Sequence, residues 1–181
     1  QRLGSVLKQQ TAVDIQKCYQ CGKCSAGCPL ASEMDYAPNC ILRMIQSGDP
    51  ELEEKVLRSL TIWLCLNCEM CYSRCPQSVD IPKVMDFLRE KSLQKKMTNP
   101  GAKKIIAFHK SFLKSIKKSG RLNEIDLIMD YKSHVFDLLQ DVSLAPTMLA
   151  KGKLQLIPER IKDRKKMSTI FLNTSKKNYS K

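Results

Sequence analysis

The strongest constraint on this chain is a pair of cysteine blocks. Residues 18–29 read CYQCGKCSAGCP and residues 65–76 read CLNCEMCYSRCP, so both follow the pattern C-x2-C-x2-C-x3-C-P. This spacing is typical of the [4Fe–4S] sites of bacterial two-cluster ferredoxins, in which cysteine thiolates bind the iron. The two blocks, block one and block two, therefore predict two [4Fe–4S] clusters.

The spacing within each block also indicates which cysteine binds which cluster. Three thiolates three residues apart on a tight loop can reach three corners of one cubane, whereas the chain has turned away at the Cys-Pro step. We therefore expect the fourth cysteine of each block to bind the cluster of the other block. The predicted ligands of cluster one are Cys18, Cys21, Cys24 and Cys75. The predicted ligands of cluster two are Cys65, Cys68, Cys71 and Cys28.

Zinc is the main alternative metal for such cysteines. Structural zinc sites also take four ligands, but typically from two separated C-x2-C pairs rather than from four cysteines within eleven residues. The shared ending at Pro29 and Pro76 further favours iron–sulfur chemistry.

Disulfides and membrane insertion are both disfavoured. Nine cysteines is an odd number, and the first residues contain no apolar core of a signal peptide. No apolar run approaches the roughly 18 residues of a membrane helix. We therefore expect a cytoplasmic protein without a membrane span.

Apolar periodicity and capping residues predict an all-α fold. Pro38 and Gly48 bound one predicted helix, Asp49 and Pro50 begin the next, and Asp80 is the expected N-cap of a third. No alternating strand pattern appears.

The chain is predicted to divide into three parts. Residues 1–98 form the two-cluster domain, residues 99–160 a basic helical extension, and residues 161–181 a basic tail whose last ten residues receive no assigned structure.

The extension is predicted to contain three helices, at 102–118, about 122–139 and 145–151, followed by a connection from Gly152 to Pro158. The first of them is amphipathic, with one apolar face and lysines around the rest. That face consists of Ile105, Phe108, His109, Phe112 and Ile116.

The two halves of the cysteine-bearing part resemble each other. Cys28-Pro29 is followed by an acidic residue near a proline, in Met34–Pro38, and then by an apolar helix. Cys75-Pro76 is followed by Val79–Pro82 and then by a helix that includes Arg89. This weak repeat suggests two pseudo-symmetric units that share a centre.

Charge is distributed unevenly along the chain. Residues 1–100 have a net charge of +2, whereas residues 101–181 have +11. The basic part, including the run at 164–166, could bind an acidic partner, although a solvated face is the default interpretation. A nucleic-acid partner is disfavoured because only Phe171 and Tyr179 are aromatic between 151 and 181.

Several single residues have two possible roles. Cys40 lies on an apolar helix and is expected to be a buried thiol rather than a spare ligand. His109 is expected to be a core or interface residue rather than a redox group, and His134 is expected to have no special role.

Trp63 could shield a cluster or anchor the end of a helix. Lys23 and Arg74 lie inside the blocks, where positive charge would favour cluster reduction, unless they are plain surface charges.

No nucleotide-binding or nucleophile motif is present, so we expect no catalytic residues. A chain with two clusters and no other recognisable chemistry is expected to carry electrons between partners.

The paired blocks in a helical setting resemble the α-helical ferredoxin domain of succinate dehydrogenase and fumarate reductase iron–sulfur subunits. The resemblance is stronger to the C-type iron–sulfur subunits of the CoB–CoM heterodisulfide reductases of methanogens, over about residues 11–160. It is carried by VDIQKCYQCGKCSAGCP at 13–29, VDIPKVMDFLR at 79–89, FHKSFLKSIKKSGR at 108–121 and MLAKGKLQLIP at 148–158.

The resemblance implies an electron-transfer role in methanogenesis. In that family one subunit contains flavin, a second reduces the coenzyme M–coenzyme B disulfide at CCG-motif clusters, and the C-type iron–sulfur subunit links the two. A hydrogenase or formate dehydrogenase module would then connect through the flavin subunit. This chain has no adjacent Cys-Cys pair, so the CCG-motif subunit is expected to be separate. The alternative is the iron–sulfur subunit of another flavin-linked dehydrogenase, of the glycerol-3-phosphate, glycolate or succinate/fumarate type.

Overall fold

The computed structural model describes residues 2–135, 145–152, 161 and 164–179. Across these residues the chain forms α-helices and short 3-10 turns, and they include no strand, so the predicted all-α class is confirmed. None of the described helices combines the length and the apolar character needed to cross a membrane.

Two compact units divide the chain. The cysteine unit is Gln1–Ala102 and the basic unit is Lys103–Lys181. The break therefore follows Ala102, four residues after the predicted boundary at 98. The division into three parts stays a prediction.

The cysteine unit contains seven helices within its described residues. They are α1 (Leu3–Thr11), α2 (Lys23–Ala26), α3 (Pro38–Ser47), α4 (Pro50–Leu57), α5 (Thr61–Leu64), α6 (Met70–Ser73) and α7 (Ile81–Gln94). Single 3-10 turns lie at Ile15–Lys17, Ala31–Glu33 and Pro100–Ala102.

The predicted helix starts are confirmed. Asp49 accepts a hydrogen bond from the Glu51 N–H at 2.9 Å, and Pro50 occupies the first turn of α4. Asp80 likewise accepts from the Lys83 N–H at 3.0 Å at the start of α7. Gly48 ends α3 with φ of 66°, a left-handed conformation that costs glycine little.

The core of this unit is formed where α3, α4 and α7 bury their apolar faces. Its fully buried members include Leu7, Ile41, Leu42, Ile45, Val56, Leu57, Val84, Met85 and Leu88. Each such side chain contributes about 1.5–3 kcal/mol by leaving water. Leu93, by contrast, is 46% exposed because it lies on the outer side of α7.

The basic unit contains α8 (Lys103–Ser119), α9 (Glu124–Val135), α10 (Ala145–Ala150) and α11 (Arg164–Tyr179). Two predicted segments lie partly outside the described residues: the second extension helix from 136 to 139, and the connection from 153 to 158. The helix α11 reaches into the last ten residues, to which the sequence analysis assigned no structure. Its sequence contains neither glycine nor proline, so nothing in it interrupts a helix.

The apolar face predicted for α8 is only partly buried. Phe108 is 43% exposed and packs edge-on against Tyr131 of α9, with 5.9 Å between the ring centroids. The other apolar members of this face are half-buried and His109 is exposed, whereas Ser111, Ser115 and Ser119 are buried. Serines four residues apart share one side of a helix, and their small size lets a neighbouring helix approach closely. The buried side of α8 therefore includes a polar face of serines, and His109 is not a core residue.

Hydrogen bonds explain why this polar face is buried. The Asn123 N–H, just before α9, donates to Ser115 Oγ at 3.0 Å, and the Ser119 hydroxyl donates to the Ser115 carbonyl at 2.9 Å. Lys118 of α8 also pairs with Asp126 of α9 at 3.0 Å. Buried polar atoms with partners cost little, so Ser115 and Ser119 are tolerated in this stripe.

We expect Ser115→Leu to loosen the packing of α8 against α9. The larger side chain does not fit a position that is 4% exposed, and the Asn123 N–H loses its acceptor, with an expected cost of about 1–3 kcal/mol. Hydrogen exchange of the α9 amides should become faster while α7 is unaffected. Lys117→Leu, on the exposed side of α8, is the control; equal effects of the two variants would contradict the serine interface.

Candidate iron–sulfur centre

Equivalent positions of the two cysteine blocks adopt the same left-handed backbone conformation. Two residues after the first cysteine, Gln20 has φ of 64° and Asn67 has 52°. Four residues after it, Gly22 has 77° and Glu69 has 61°. Such alternation turns successive backbone N–H groups toward a common concavity that suits an anionic cluster. The repeat suggested by the sequence therefore extends to the backbone.

A single helical turn follows in each block. The third cysteine lies on it, Cys24 in α2 (Lys23–Ala26) and Cys71 in α6 (Met70–Ser73). Both turns begin directly after the left-handed residue, so that residue sets the direction in which the third thiol leaves the loop.

Four thiols and several apolar side chains line one cavity in the cysteine unit. Three of the thiols belong to block two and the fourth, Cys28, belongs to block one. The thiols are those of Cys28, Cys65, Cys68 and Cys71, and the apolar residues are Pro29, Leu30, Met34, Leu66, Met70 and Pro82. The structure thus brings together the four cysteines predicted for cluster two.

Three of the four thiols predicted for cluster one lie near Tyr19. Partial desolvation raises the pKa of Tyr19, and the negative charge of the Cys21, Cys75 and Cys18 thiolates raises it further. The Cys18 thiolate also acts on Cys24. Cys75, from block two, therefore lies near Tyr19 of block one.

Burial makes several of these thiols weak acids when no metal is bound. Desolvation raises the pKa of Cys24 and of Cys65, and it raises the pKa of Cys71 to about 11. Because iron binds the thiolate, cluster assembly has to release these protons.

The donor set fits iron–sulfur clusters. Both groups consist of soft thiols, the ligands that such clusters take. Across the described residues, no three His, Cys, Asp or Glu side chains lie close enough together to hold a single ion. The four thiolates of a cubane bind four different iron atoms and therefore stand further apart than the ligands of one ion.

A glutamine side chain holds the start of block one. Gln46, on α3, donates through Nε2 to the Ile15 carbonyl at 2.7 Å and to the Cys18 carbonyl at 2.9 Å. Its own Oε1 accepts from Gln20 Nε2 at 3.3 Å. We call this arrangement the block-one carbonyl clamp.

An arginine side chain does the same for block two. Arg89, on α7, donates through Nε to the Ile62 carbonyl at 2.5 Å and through a terminal nitrogen to the Cys65 carbonyl. The other terminal nitrogen donates to Asp86 at 2.9 Å and to Asn67 at 3.3 Å. In this block-two carbonyl clamp, as in the first, the bound carbonyls belong to the first cysteine and to the residue three before it.

Asp35 joins the loop after block one to the helix that precedes block two. Its carboxylate accepts from the Leu60 N–H at 2.7 Å, the Thr61 N–H at 2.9 Å, the Thr61 hydroxyl at 2.5 Å and the Tyr36 N–H at 3.1 Å. Partial burial alone would raise the pKa of Asp35, but these bonds outweigh it and lower the pKa. Asp35 thereby satisfies amides at the start of α5 (Thr61–Leu64), which leads directly to Cys65.

We expect Asp35→Asn to destabilise the cysteine unit by about 1–3 kcal/mol, because an amide replaces a charged acceptor of several hydrogen bonds. The depressed pKa means that the carboxylate stabilises the fold above the ordinary value of 3.8 and loses this effect as the pH falls through its lowered pKa. At neutral pH the variant should therefore lose its visible cluster absorbance at lower urea concentration. Glu33→Gln, which removes a neighbouring exposed carboxylate, is the control; equal urea sensitivity of the two variants would contradict this role.

The structure places the secondary candidates as follows. Cys40 is exposed, so the expectation of a buried thiol is wrong: its side of α3 faces solvent while Ile41 and Leu42 face the core. Trp63 is 5% exposed, which leaves both of its suggested roles open. His134 is exposed and its Nδ1 lies 2.7 Å from the Asp130 carbonyl oxygen.

Lys23 is exposed. The Arg74 side chain packs directly against Gly27, so a β-carbon at position 27 would collide with the Arg74 guanidinium group. Gly27 precedes Cys28 and Arg74 precedes Cys75, so these residues meet where the fourth cysteines of the two blocks leave their loops. This contact gives Arg74 a position that the sequence did not indicate.

The sequence does not predict the two clamp side chains. Arg89 stands out only as a position of the weak repeat, and Gln46 belongs to no recognisable pattern. A usable signal would have been a long polar side chain on the inner face of the helix that follows each block.

Residues 14–79 match the family described as the 4Fe-4S dicluster domain. This match and the helical fold define a two-cluster iron–sulfur protein, and the prediction of two [4Fe–4S] clusters is confirmed.

The chain is similar to the C-type iron–sulfur subunits of heterodisulfide reductases. It is 33% identical over 90 residues to this subunit of the CoB–CoM heterodisulfide reductase of Methanopyrus kandleri, covering 50% of this chain and 45% of that relative. A second such subunit, from Methanocaldococcus jannaschii, is 37% identical over 90 residues, covering 50% and 46%. The C-type subunit of the "H(2):CoB-CoM heterodisulfide,ferredoxin reductase" of Methanothermobacter marburgensis is 29% identical over 94 residues, covering 52% and 49%.

The chain thus spans about half the length of the curated relatives it matches. The matched segments are shorter than the region from 11 to 160 over which the sequence suggested the resemblance. The resemblance itself is confirmed, and the similarities support an iron–sulfur electron-transfer role in an oxidoreductase complex.

Proposed function

We propose that this chain is the electron-transfer subunit of a cytoplasmic heterodisulfide reductase complex. It relays electrons from a flavin-containing subunit to a CCG-motif catalytic subunit, which reduces the coenzyme M–coenzyme B disulfide. A hydrogenase or formate dehydrogenase module supplies the flavin subunit. The observation that carries this proposal is the cavity lined by four thiols from both blocks, in a chain similar to the C-type subunits of such complexes.

Eight cysteines hold the two clusters in this proposal. Cluster one binds Cys18, Cys21, Cys24 and Cys75, and cluster two binds Cys65, Cys68, Cys71 and Cys28. The proximity of Cys75 to Tyr19 of block one and of Cys28 to block-two thiols supports this exchange. When bound, each cluster supplies a site that takes up and releases one electron. No residue of the chain takes a catalytic part.

The protein's own groups have a positioning role in this relay. The two carbonyl clamps fix the first cysteine of each block, and Asp35 fixes the helix that leads to block two. The cavity walls at Leu66 and Met70 are apolar but exposed to solvent. Fixed cysteine positions keep the separation of the two centres constant and reduce reorganisation around them during electron transfer.

The exchange of fourth ligands can be tested by substitution. Anaerobically prepared protein should contain about eight irons and eight sulfides per chain. Cys75→Ala should damage cluster one, so its spectrum should lack the same signal as that of Cys21→Ala. Cys28→Ala should damage cluster two, as Cys68→Ala does. Electron paramagnetic resonance of the reduced protein separates the two signals.

Cys40→Ala is the matched control for these variants, because Cys40 is exposed and lies outside both blocks. It should retain the full iron and sulfide content. Loss of the same cluster in Cys28→Ala and Cys21→Ala would show that ligation is local. Bound zinc without sulfide would overturn the cluster proposal altogether.

The relay role predicts that the isolated holo-protein accepts electrons but reduces no heterodisulfide. Reduction should appear when the CCG-motif partner is added, and coupling to the upstream donor only when the flavin partner is added as well. The assay follows thiol formation, with a dye as donor for the partial reaction. Heterodisulfide reduction by the chain alone would place catalysis in this polypeptide.

The basic unit is expected to contribute to docking. Its net positive charge is balanced only locally, by pairs such as Lys118–Asp126, so an acidic partner surface is favoured. High salt should slow reconstitution by about tenfold. If the chain co-purifies instead with a flavin-linked dehydrogenase and without a CCG-motif protein, a glycerol-3-phosphate, glycolate or succinate/fumarate type complex replaces the proposal.

A further inference from the structure

The two carbonyl clamps have the same geometry but different charge. Each holds the carbonyl of the first cysteine and that of the residue three positions earlier. The clamp side chain is the neutral amide of Gln46 in block one and the guanidinium group of Arg89 in block two. An arginine keeps its positive charge throughout the physiological pH range. The pseudo-repeat is therefore symmetric in structure and asymmetric in electrostatics.

Two exposed carboxylates, Asp86 beside Arg89 and Glu69 within block two, compensate the positive charge at block two only weakly, because solvent screens them. The Arg89 side chain is 15% exposed, whereas its partner Asp86, 2.9 Å away, is 56% exposed. Solvent screens an exposed charge more effectively than a buried one, so the field of Arg89 at Cys65 exceeds the opposing field of Asp86.

Other basic side chains near the blocks do not cancel this difference. Lys17 and Lys23, beside the block-one thiols, are exposed and therefore well screened. Arg74 crosses Gly27, next to the fourth cysteines of both blocks, so it acts on both centres. Among these basic side chains, Arg89 is the one that is largely buried and lies beside a single block.

We propose that Arg89 makes the block-two cluster the first of the two to accept an electron. In that step a one-electron donor is oxidised by one electron and the holo-protein is reduced by one, with no bond formed or broken. A positive charge nearby stabilises the added negative charge, and a neutral amide does so less. The inference rests on the proposed ligand sets and gives the relay a direction, from block one toward block two.

The experiment is a redox titration of the anaerobic holo-protein, followed by electron paramagnetic resonance of each cluster. Arg89→Gln copies the block-one clamp into block two, and Gln46→Arg copies the block-two clamp into block one. We expect Arg89→Gln to lower the potential of cluster two relative to that of cluster one. The ratio of reduced cluster two to reduced cluster one should fall about tenfold, equivalent to about 59 mV for a one-electron couple. Gln46→Arg should shift it in the same direction, by raising the potential of cluster one. The double variant should reverse the wild-type order.

Two further variants separate charge from hydrogen bonding. Arg89→Lys retains the positive charge but cannot bind both carbonyls in the same way. The wild-type order of reduction should therefore be retained in Arg89→Lys and lost in Arg89→Gln. Asp86→Asn removes the opposing exposed charge and should raise the potential of cluster two while leaving Arg89 in place. Arg58→Gln, which removes an exposed arginine paired with Glu54 on another helix, is the matched control and should change neither potential.

The possible outcomes are distinct. An unchanged order of reduction in Arg89→Gln, with full iron and sulfide content, overturns the inference. If Arg89→Gln does not assemble its clusters, Gln46→Arg and Asp86→Asn decide, and unchanged potentials in both overturn it equally. The proposed function fails differently, through loss of the wrong cluster in Cys28→Ala or failure of the complex to reconstitute. Those results do not depend on the order of the potentials.

Discussion

Side chains from the neighbouring helices α3 and α7 hold the start of each cysteine loop. A loop that turns its N–H groups toward a cluster leaves carbonyl groups on its outer side, and buried carbonyls without partners are costly. Gln46 and Arg89 bind those carbonyls at the first cysteine of each block. The position of α3 and α7 in the core is therefore coupled directly to the position of the first thiol of each block.

Asp35 connects the two blocks through hydrogen bonds. Its carboxylate bonds three groups of Leu60 and Thr61, which follow it by about 25 residues in the sequence. Hydrogen bonds to a charged acceptor are worth about 1.5–3 kcal/mol each when desolvated, more than those between neutral groups. Asp80, the counterpart in the repeat, caps the start of its own helix. Asp35 therefore connects the two blocks, whereas Asp80 acts locally.

Local signals predicted the helices of both units well and their buried sides less well. The blocks, the prolines at helix starts and Gly48 act through neighbouring residues, so the sequence is sufficient to interpret them. The exposure of Cys40 and the burial of the α8 serines were not predicted, for a different reason. The side of a helix that is buried depends on which helix packs against it, and α9 contacts α8 both at Ser115 and, through Tyr131, at Phe108. Hydrophobic periodicity alone does not identify that partner.

The clamp residues were missed because their function is defined by geometry rather than by residue type. A glutamine and an arginine share no pattern in the sequence, yet both reach two carbonyls three residues apart. Hydrogen bonding requires only a donor, so charge at this position can vary without disturbing the loop. A cluster, in contrast, responds to charge at a distance. The clamp position therefore allows the electron affinity of each centre to be adjusted while its ligand geometry is retained.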